Sequence, residues 1–555
     1  MNKSKTRDNS VSEWDAIKWR KLEIIVFKLQ KRIFKASENN DVITVRKLQK
    51  TLLKSWAAKC LAVRKVTQEN KGKNTAGVDG KKSVSPKRRL EMVDEIKLSN
   101  ISMPTRRIWI PKPGKDEMRP LGIPTLYERA KQALVKLVLE PEWEAKFEPN
   151  SYGFRPGRSC HDAIEAVFKN IRLKPKYVLD ADISKCFDKI NHEELLVKVN
   201  TFPTLRTQLK AWLKSGFINE GELFSTDAGT PQGGVASPLM ANIALHGLQS
   251  EILKGLTYKE KMHTSVIVYA DDFVVLSDQL ETIHKAKEAV TKWLSKLGLT
   301  LNPEKTRISH TLKSYDGNKG FKFLGFDIQQ YVVGKYKSGK NTNGNLLGFK
   351  TIIKPSKEKV TLHLEKIKTI INAHKALPQE LMIYRLNQVI KGWSNYYSTV
   401  VSAVTFKKLD HLVFLSLKSW AFRRHTNKGK RWAITKYWSS NGGNNWCFAG
   451  HKDGEKVSLI RHTDTPIVRH VKVQGHRSPF DGEWLYWSSR LGKYPGVSTK
   501  LSKLLKVQQG RCNKCGLYFT SENIIKLSHV CCPASKDRNN LRHWELVHND
   551  YCMKC

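Results

Sequence analysis

Two pairs of aspartates, each beside an apolar stretch, are the residues best suited to chemistry. Asp271 and Asp272 separate the apolar segments 266–270 and 273–276, which read as the two strands of a hairpin. A two-residue turn prefers Asn-Gly or Asp-Gly, and adjacent carboxylates repel each other. In YVLDADISKCF (177–187), Asp180 and Asp182 lie on one face of a predicted strand. A divalent cation such as Mg²⁺, which prefers hard oxygen ligands, would relieve the repulsion. A solvated acidic turn is the alternative.

Cysteines form a second candidate metal site near the C-terminus. Six of the 10 cysteines fall there: Cys512, Cys515, Cys531, Cys532, Cys552 and Cys555. The pairs Cys512-x₂-Cys515 and Cys552-x₂-Cys555 can each offer two thiolates to one Zn²⁺, and Cys531 and Cys532 are competing ligands. The pattern indicates a metal module in a reducing compartment and not a disulfide framework.

The net charge of the protein indicates what kind of partner it binds. Lys and Arg total 97 against 51 Asp and Glu, a net charge of +46. Such an excess favours a polyanion, most often nucleic acid, because each neutralised phosphate releases counterions. A membrane surface is the alternative, but no segment approaches the ~20 apolar residues that span a bilayer. The charged N-terminus does not resemble a secretory signal, whereas an organelle transit peptide stays open.

Periodicity and turn residues predict the elements that position these groups. Residues 14–69 have helical spacing, either as packing helices or as an RNA-binding surface. Short strands around a loop are expected over 103–125, a helix over 126–140, and a strand leading into a helix over 177–187. Residues 355–438 are helical, basic and aromatic, 334–348 are loop-like, and SNGGNN (440–445) suggests a linker.

Five motifs, in the same order along the chain, resemble those of reverse transcriptases. They are Asp182-Ile-Ser-Lys-Cys-Phe-Asp188, Gly229-Thr-Pro-Gln-Gly-Gly234-Val-Ala-Ser-Pro, Tyr269-Ala-Asp-Asp272, Leu301-Asn-Pro-Glu-Lys305-Thr and Phe323-Leu-Gly-Phe326. One such motif would be a weak signal, whereas five in family order are very specific.

Further motifs resemble the group II intron-encoded proteins, also called maturases. Those of the fingers are Ile110-Pro-Lys-Pro-Gly-Lys, Met118-Arg-Pro-Leu-Gly-Ile-Pro124 and Ser151-Tyr-Gly-Phe-Arg-Pro-Gly-Arg158, and that of the thumb is Ile390-Lys-Gly-Trp393-Ser-Asn-Tyr396-Tyr397. The resemblance runs from about residue 14 onward. It is strongest over 104–330 and weakest over 446–505.

The resemblance implies an α+β multidomain fold: a right-hand polymerase with fingers, an antiparallel-sheet palm and an α-helical thumb, plus a small zinc-bound ββα-like C-terminal module. The expected domains are an RNA-binding helical extension (1–75), fingers and palm (76–354), the maturase or thumb domain (355–445), a DNA-binding region (446–505) and an endonuclease-like zinc module (506–555).

By the same resemblance, Asp182, Asp271 and Asp272 hold two Mg²⁺. The implied nucleotide-binding residues are Lys112 and Arg119 on the triphosphate, Gln232 near nucleotide and template, Phe187 under the sugar where it would exclude a 2′-OH, and Lys305 as a proton donor to pyrophosphate. Taken alone, each of the three cations could be an ordinary solvated side chain. Phe187 could equally belong to the core.

Two basic, aromatic regions are implied to bind nucleic acid. Residues 406–438 interleave Lys and Arg with Trp, Phe and Tyr, so that aromatic faces could stack on bases while cations follow the backbone. A helical bundle with its aromatics inward is the alternative. By resemblance this segment and the N-terminal region bind intron RNA. Residues 446–505 occupy the place of a DNA-binding region, a role that Trp484 and Trp487 would permit.

The C-terminal module resembles a His-Asn-His endonuclease. His529 stands where that family keeps its general base, and Asn540 and His548 are its candidate partners. Two departures lead us to expect weak or absent nicking. Ser528 replaces a usual metal ligand, and the sequence ends at Cys555, before the histidine that commonly follows.

Together these features predict a group II intron-encoded reverse transcriptase and maturase. Its expected partners are intron RNA, target DNA and dNTPs, with no membrane, and the oligomeric state is open. A bacterial cytoplasm or an organelle is expected, not secretion. The alternatives are a splicing-only maturase and a polymerase of another class, such as a retron or diversity-generating reverse transcriptase or an RNA replicase.

Overall fold

A computed structural model describes residues 13–112, 114, 116–441, 444–520, 525–530 and 541–548. Of the candidate site residues, Cys552, Cys555 and Asn540 lie outside these ranges, as do Cys531 and Cys532. No helix in the described ranges is long and apolar enough to cross a membrane.

The N-terminal region is helical, as predicted. Its helices are α1 (Trp19–Glu38), α2 (Val42–Lys54), α3 (Trp56–Arg64) and α4 (Pro86–Glu95). The side chains of Asp41 and Ser55 accept hydrogen bonds from backbone N–H groups at the starts of α2 and α3. The apolar faces of these helices pack on α5 (Leu126–Lys146), which extends beyond the predicted end at residue 140.

The fingers contain a four-stranded sheet. Strands β1 (Thr105–Pro111) and β2 (Met118–Ile123) form the hairpin predicted around the loop at 112–117. The sheet has the order β2-β1-β4-β5 and is completed by β4 (Phe217–Asn219) and β5 (Glu222–Phe224).

The palm is a second four-stranded sheet, antiparallel throughout, with the order β6-β7-β3-β8. Its strands are β3 (Tyr177–Asp182), β6 (Ser265–Tyr269), β7 (Asp272–Ser277) and β8 (Arg307–His310). Alternate residues bury opposite faces. Leu179 and Val275 face a core formed with α5 and with later helices, whereas Val178 and Val274 face another core that includes residues 473 and 487.

Helices surround this sheet. They are α6 (Cys160–Ile171), α7 (Cys186–Lys189), α8 (His192–Val199), α9 (Pro203–Leu213), α10 (Ser237–Leu245), α11 (Leu248–Lys254), α12 (Tyr258–His263) and α13 (Leu280–Lys296). A small antiparallel sheet of β9 (Phe321–Phe323), β10 (Phe326–Val332) and β11 (Phe349–Pro355) then leads out of the palm.

The thumb is helical, as predicted. Its helices are α14 (Lys357–Ala373), α15 (Gln379–Tyr397), α16 (Ala403–Arg424) and α17 (Lys430–Tyr437). Buried Ile367, Met382, Leu386 and Leu417 form its core. Strands β12 (Trp438–Asn441), β13 (Asn444–Lys452) and β14 (Glu455–Ser458) follow as an antiparallel sheet. The linker predicted at 440–445 is therefore wrong for its described residues, because 440–441 belong to β12 and 444–445 to β13.

The segment after β14 returns to the palm and docks there through buried polar groups. The Arg158 guanidinium donates hydrogen bonds to the carbonyls of Gly475 and Arg477. Buried Asp162 on α6 accepts from Arg490 and from the Val473 backbone. Helices α18 (Trp484–Leu491) and α19 (Thr499–Val507) lead into the hairpin of β15 (Ile525–His529) and β16 (Trp544–His548).

One expectation for the C-terminal region needs correction. Trp487 is fully buried, packs close to Gly157 and donates to Asp481, so it does not offer the DNA-stacking surface that the sequence permitted. Trp484 is only partly buried. Helix α19 crosses the expected boundary at 505/506, and its Leu504 and Leu505 share a core with Leu546 of β16.

Candidate active site and metal site

The predicted catalytic aspartates meet at one end of the palm sheet. Asp182 is the last residue of β3 and lies directly opposite Asp272, the first residue of β7. Asp271 precedes Asp272 in the β6–β7 turn, and the Asp271 carbonyl accepts a hydrogen bond from the Ile183 backbone N–H. Strand pairing thus brings together carboxylates that are far apart in the sequence.

The hairpin turn is shifted by one residue from the prediction. Tyr269 pairs with Asp272, so the turn residues are Ala270 and Asp271 rather than the two aspartates. Ala270 takes a φ of 56°, which is strained for a residue with a Cβ. Gly153 supports the turn, because a Cβ there would lie 2.4 Å from the Ala270 nitrogen. The shift places Asp272 in the strand register that faces Asp182.

Burial and mutual repulsion leave these carboxylates in need of a cation. Burial raises the pKa of Asp271. Burial, followed by the charges of Asp271 and Asp182, raises the pKa of Asp272 to about 8. Within the protein the nearest compensation is Lys305, whose Nζ lies 2.7 Å from Asp182 Oδ2. Three carboxylates that repel one another at one end of the sheet offer hard oxygen donors, the kind of ligand that Mg²⁺ prefers.

A cavity of about 700 Å³ opens beside Asp182 and Asp271 and contains all of the predicted nucleotide-binding residues. These are Lys112, Arg119, Phe187, Gln232 and Lys305. Lys112 is paired with Glu117 across the fingers hairpin. The charge of Arg119 lowers the pKa of Asp271, opposing the effect of burial. The structure therefore gathers these residues around one space.

Phe187 and Gln232 belong to two backbone segments that contact each other closely. The Thr230 N–H donates to the Phe187 carbonyl, and Gln232 Nε2 lies 3.4 Å from both carboxylate oxygens of Asp188. The Gly122 N–H donates to the Gln232 carbonyl at 2.6 Å, which ties this loop to strand β2. The Phe187 ring packs edge-on against Phe154.

Sequence reasoning missed Arg107 in the same cavity. Its guanidinium lies 3.8 Å from the centre of the Phe217 ring, and its buried Nε has no hydrogen-bond partner among the described residues. Burial lowers its pKa, with Asp188 acting in the opposite direction. The available signal was an arginine two residues before Trp109 in the fingers strand, but strand position alone does not reveal which face it occupies.

A second cavity, of about 800 Å³, lies on the other side of Asp182 and also contacts Asp272. Several cations line it: Lys305, Arg307, Lys319, Lys322, Lys354 and Lys357. Asp180 lies here opposite Arg307 in the strand register. Burial raises its pKa to about 7, with Arg307 opposing and Asp182 adding to the rise. Acidic residues line it in equal number, namely Asp180, Asp182, Asp272, Glu304, Asp327 and Glu358, so Asp182 lies between a cavity of about 700 Å³ and a second cavity of mixed charge.

The C-terminal hairpin brings together three potential metal ligands. Ligand atoms of Cys512, Cys515 and His548 all lie within 4.8 Å of one another, and Cys515 Sγ is 3.3 Å from His548 Nδ1. Burial opposes ionisation of Cys512, but backbone N–H groups at Cys515, His548 and Lys514 outweigh it and lower the pKa to about 6. Two thiols and an imidazole are a donor set that suits Zn²⁺.

His529 lies at the end of β15, opposite Trp544 in the register. Its ring packs edge-on against Trp544 and is stacked at 6.1 Å from His543. His548, expected beside it as an endonuclease partner, instead lies with the two cysteines.

Three segments of the chain match known protein families. Residues 110–328 match the family described as reverse transcriptase (RNA-dependent DNA polymerase). Residues 14–96 match the N-terminal domain of reverse transcriptase, and residues 360–438 match the group II intron maturase-specific domain. These segments cover the N-terminal helices, the palm and the thumb helices described above.

Several curated proteins are similar to this chain. Protein YkfC of Escherichia coli (strain K12) is 30% identical over 346 residues, 54% of this chain and 88% of that protein. Group II intron-encoded protein LtrA of Lactococcus lactis subsp. cremoris is 27% identical over 423 residues, 62% of this chain and 69% of that protein. Maturase-like protein 1 of Euglena gracilis is 25% identical over 402 residues, 70% of this chain and 78% of that protein.

Proposed function

This chain belongs to the family of group II intron-encoded reverse transcriptases and maturases, and we propose on that basis that it binds its own intron RNA, assists its splicing and copies RNA into DNA by target-primed reverse transcription. The observation that carries the enzymatic part is the convergence of Asp182, Asp271 and Asp272 at one end of the palm sheet, beside a cavity of about 700 Å³ that all of the predicted nucleotide-binding residues line. A splicing-only maturase would have no need for three partly buried carboxylates that repel one another.

In this proposal the three aspartates hold two Mg²⁺ ions. When bound, these ions activate the primer 3′-OH and neutralise the charge of the leaving pyrophosphate. The protein contributes positioning. The β3–β7 register fixes Asp182 against Asp272, and the Gly153 contact holds the turn that presents Asp271.

The cavity beside them is proposed to hold the incoming dNTP. Lys112, Arg119 and the newly found Arg107 offer positive charge to the triphosphate, and Lys305 lies where it can donate a proton to pyrophosphate. Phe187, supported by Phe154, forms the surface under the sugar that would exclude a 2′-OH. Gln232, which lines the same cavity, is proposed to contact the nucleotide and the template.

Intron RNA is proposed to bind the thumb and the N-terminal helices. We keep the domain limits given above, although β11, β13 and α19 cross the limits at 354/355, 445/446 and 505/506. The aromatic residues of segment 406–438 fall into a buried set and an exposed set, as in a helical bundle. Phe406 and Trp420 are buried, whereas Trp432 is 42% exposed and lies beside Lys428 and Lys436. Preferential binding to the folded RNA would stabilise it. Target DNA is proposed to contact the region after the thumb. We place the protein in a bacterial cytoplasm or an organelle.

The C-terminal module is proposed to hold one Zn²⁺ through Cys512 and Cys515, completed by His548 or by Cys552 and Cys555. Zinc would supply a fixed crosslink between the loop at 512–515 and the end of β16. We propose that DNA nicking is weak or absent, because Ser528 replaces a family metal ligand and His548 lies with the cysteines rather than beside His529.

The test separates polymerisation from RNA binding. The Asp271→Asn protein should lose DNA synthesis on a primed RNA template yet still bind and promote splicing of its intron RNA at moderate salt. RNA affinity should fall steeply as salt rises, because many phosphates are neutralised. Normal primer extension by Asp271→Asn would refute the active-site assignment, and an affinity that barely responds to salt would refute the electrostatic one.

A further inference from the structure

A separate cavity of about 550 Å³ opens on the thumb, between α16 and the β12–β13 hairpin. It shares no lining residue with the two cavities at the palm aspartates. Its floor is apolar and is formed by Val413, Leu417 and Leu459. The volume lies in the range of cavities that bind small organic ligands, about 300–1,000 Å³.

One wall of this thumb cavity is aromatic. The Phe414 ring is 5.7 Å from Trp438 and 6.0 Å from Trp446, edge-on in both cases. Trp438 is buried, whereas Trp446 keeps 58% of its surface exposed at the edge of the cavity. A rigid indole that borders an apolar floor offers a stacking surface for a flat ring.

The rim of the thumb cavity is polar and carries two cations. Lys418 and Arg461 line it together with His411 and one carboxylate, Asp410, and the Arg461 guanidinium is paired with Asp464. The Asp410 oxygens accept hydrogen bonds from the backbone N–H groups of His462 and Thr463, from the Thr463 hydroxyl and from His462 Nδ1. Asp410 is therefore held by residues 462 and 463.

We propose that this thumb cavity binds one unpaired nucleobase of a single-stranded nucleic acid. Trp446 stacks on the base, and Lys418 with His411 faces the adjoining phosphates. The apolar floor and the exposed indole match the flat face of a base, Lys418 offers a cation to a phosphate, and the net charge of +46 favours a polyanion over an apolar protein segment. The site shares no lining residue with the palm cavities, and the inference rests on the proposed binding of nucleic acid by the thumb.

Cys447 provides a direct probe because it lines the same cavity. The full-length protein is treated with a maleimide, and the modification of Cys447 is followed by peptide mass spectrometry. The reaction is run alone, with an eight-nucleotide oligo-U, with oligo-dT of the same length, and with a blunt RNA duplex. We expect both single strands to slow Cys447 modification and the duplex to leave it unchanged. Stronger protection by oligo-U would identify RNA as the source, and stronger protection by oligo-dT would identify DNA.

Variants of Trp446 make the test specific. Because Trp446 is largely exposed, Trp446→Ala should fold, which its melting curve checks. It should bind oligo-U about tenfold more weakly, the loss expected for one stacking surface. Trp446→Phe keeps an aromatic face and should retain most of the affinity.

The proposal is overturned if single strands leave Cys447 modification unchanged, or if Trp446→Ala binds oligo-U as the parent does. Protection by a protein partner but not by either oligonucleotide would also overturn it and would indicate a docking groove. These outcomes leave the proposed polymerase function intact, because that function is measured by DNA synthesis at Asp271.

Discussion

Lys305 forms an ion pair with Asp182, at 2.7 Å between Nζ and Oδ2. The pair joins the loop before β8 to the end of β3, and it neutralises part of the charge that the three palm aspartates concentrate there. A metal ion bound by Asp182 would have to share or displace this ammonium. Lys305 is thus both a candidate nucleotide ligand and a stabiliser of the metal-free site.

The first prediction concerns this pair. In EDTA, Lys305→Ala should lower the melting temperature by about 1 °C, because the partly exposed pair contributes little. Lys305→Arg should preserve it. Added Mg²⁺ should raise the melting temperature of Lys305→Ala more than that of the parent. A higher melting temperature for Lys305→Ala in EDTA would contradict the stabilising role.

The second prediction concerns the pH dependence of the carboxylates. Asp272 has a pKa of about 8 in the folded protein and about 4 when unfolded. Between these two pKa values the folded state binds one more proton than the unfolded state. The free energy of unfolding therefore falls as pH rises toward the folded pKa of about 8. In EDTA the parent should lose more melting temperature between pH 6 and pH 8.5 than Asp272→Asn does. The same variant should lose DNA synthesis. A parallel decline in the two proteins would argue against a buried, repelled carboxylate.

The third prediction concerns sugar selection. Phe187→Ala should open space beside Asp182 for a 2′-OH and raise the incorporation of ribonucleotides relative to deoxynucleotides. Phe187→Tyr, which keeps the ring, is the matched control. The ratio is measured by single-nucleotide extension on one RNA template. An unchanged ratio in Phe187→Ala would show that the ring is only a core residue.

The fourth prediction concerns a buried pair of histidines in the thumb. His363 Nε2 lies 2.8 Å from His462 Nε2, and His462 Nδ1 is held by Asp410. Burial, then the charges of His462 and Lys366, lowers the pKa of His363 to about 3. The unfolded state thus takes the proton first, and stability falls as pH drops below about 6.5.

Protonation of His363 in the unfolded state should lower the free energy of unfolding by about 2 kcal/mol between pH 7.5 and pH 5. His363→Gln keeps a hydrogen-bond donor for His462 but does not titrate, so its stability should decline less over that range in denaturant unfolding. Equal declines in the parent and His363→Gln would place the acid sensitivity elsewhere.

The sequence predicted the helices of the N-terminal region and thumb, and the palm hairpin, because these follow from local periodicity. It also identified residues that the structure brings to one cleft, because motif order carries that information. It missed features that depend on long-range contacts. The hairpin turn lies at Ala270–Asp271 because Gly153 supports it, and Trp487 is buried because it packs near Gly157. Neither contact can be predicted from the residues that are adjacent in the sequence. The β12–β13 hairpin was missed because Gly and Asn are equally typical of turns and linkers.

The last prediction concerns zinc and the C-terminal hairpin. Cys512 and Cys515 lie with His548, whose strand β16 also supplies Leu546 to the core shared with α19. A metal at this point would tie the loop at 512–515 to β16, so its removal should loosen the hairpin. The purified full-length protein should contain about one equivalent of zinc. Cys515→Ser should lose zinc and become sensitive to proteolysis after α19, while DNA synthesis at the palm continues.

His548→Ala and His529→Ala distinguish a structural from a nucleolytic role in the same experiment. His548→Ala should weaken zinc retention if His548 is a ligand, whereas His529→Ala should leave zinc unchanged because His529 packs on His543 and Trp544 instead. Nicking of target DNA by the intact ribonucleoprotein should be weak in the parent. Robust Mg²⁺-dependent nicking that His529→Ala abolishes would show a complete nuclease site, because only a positioned general base would make that histidine essential.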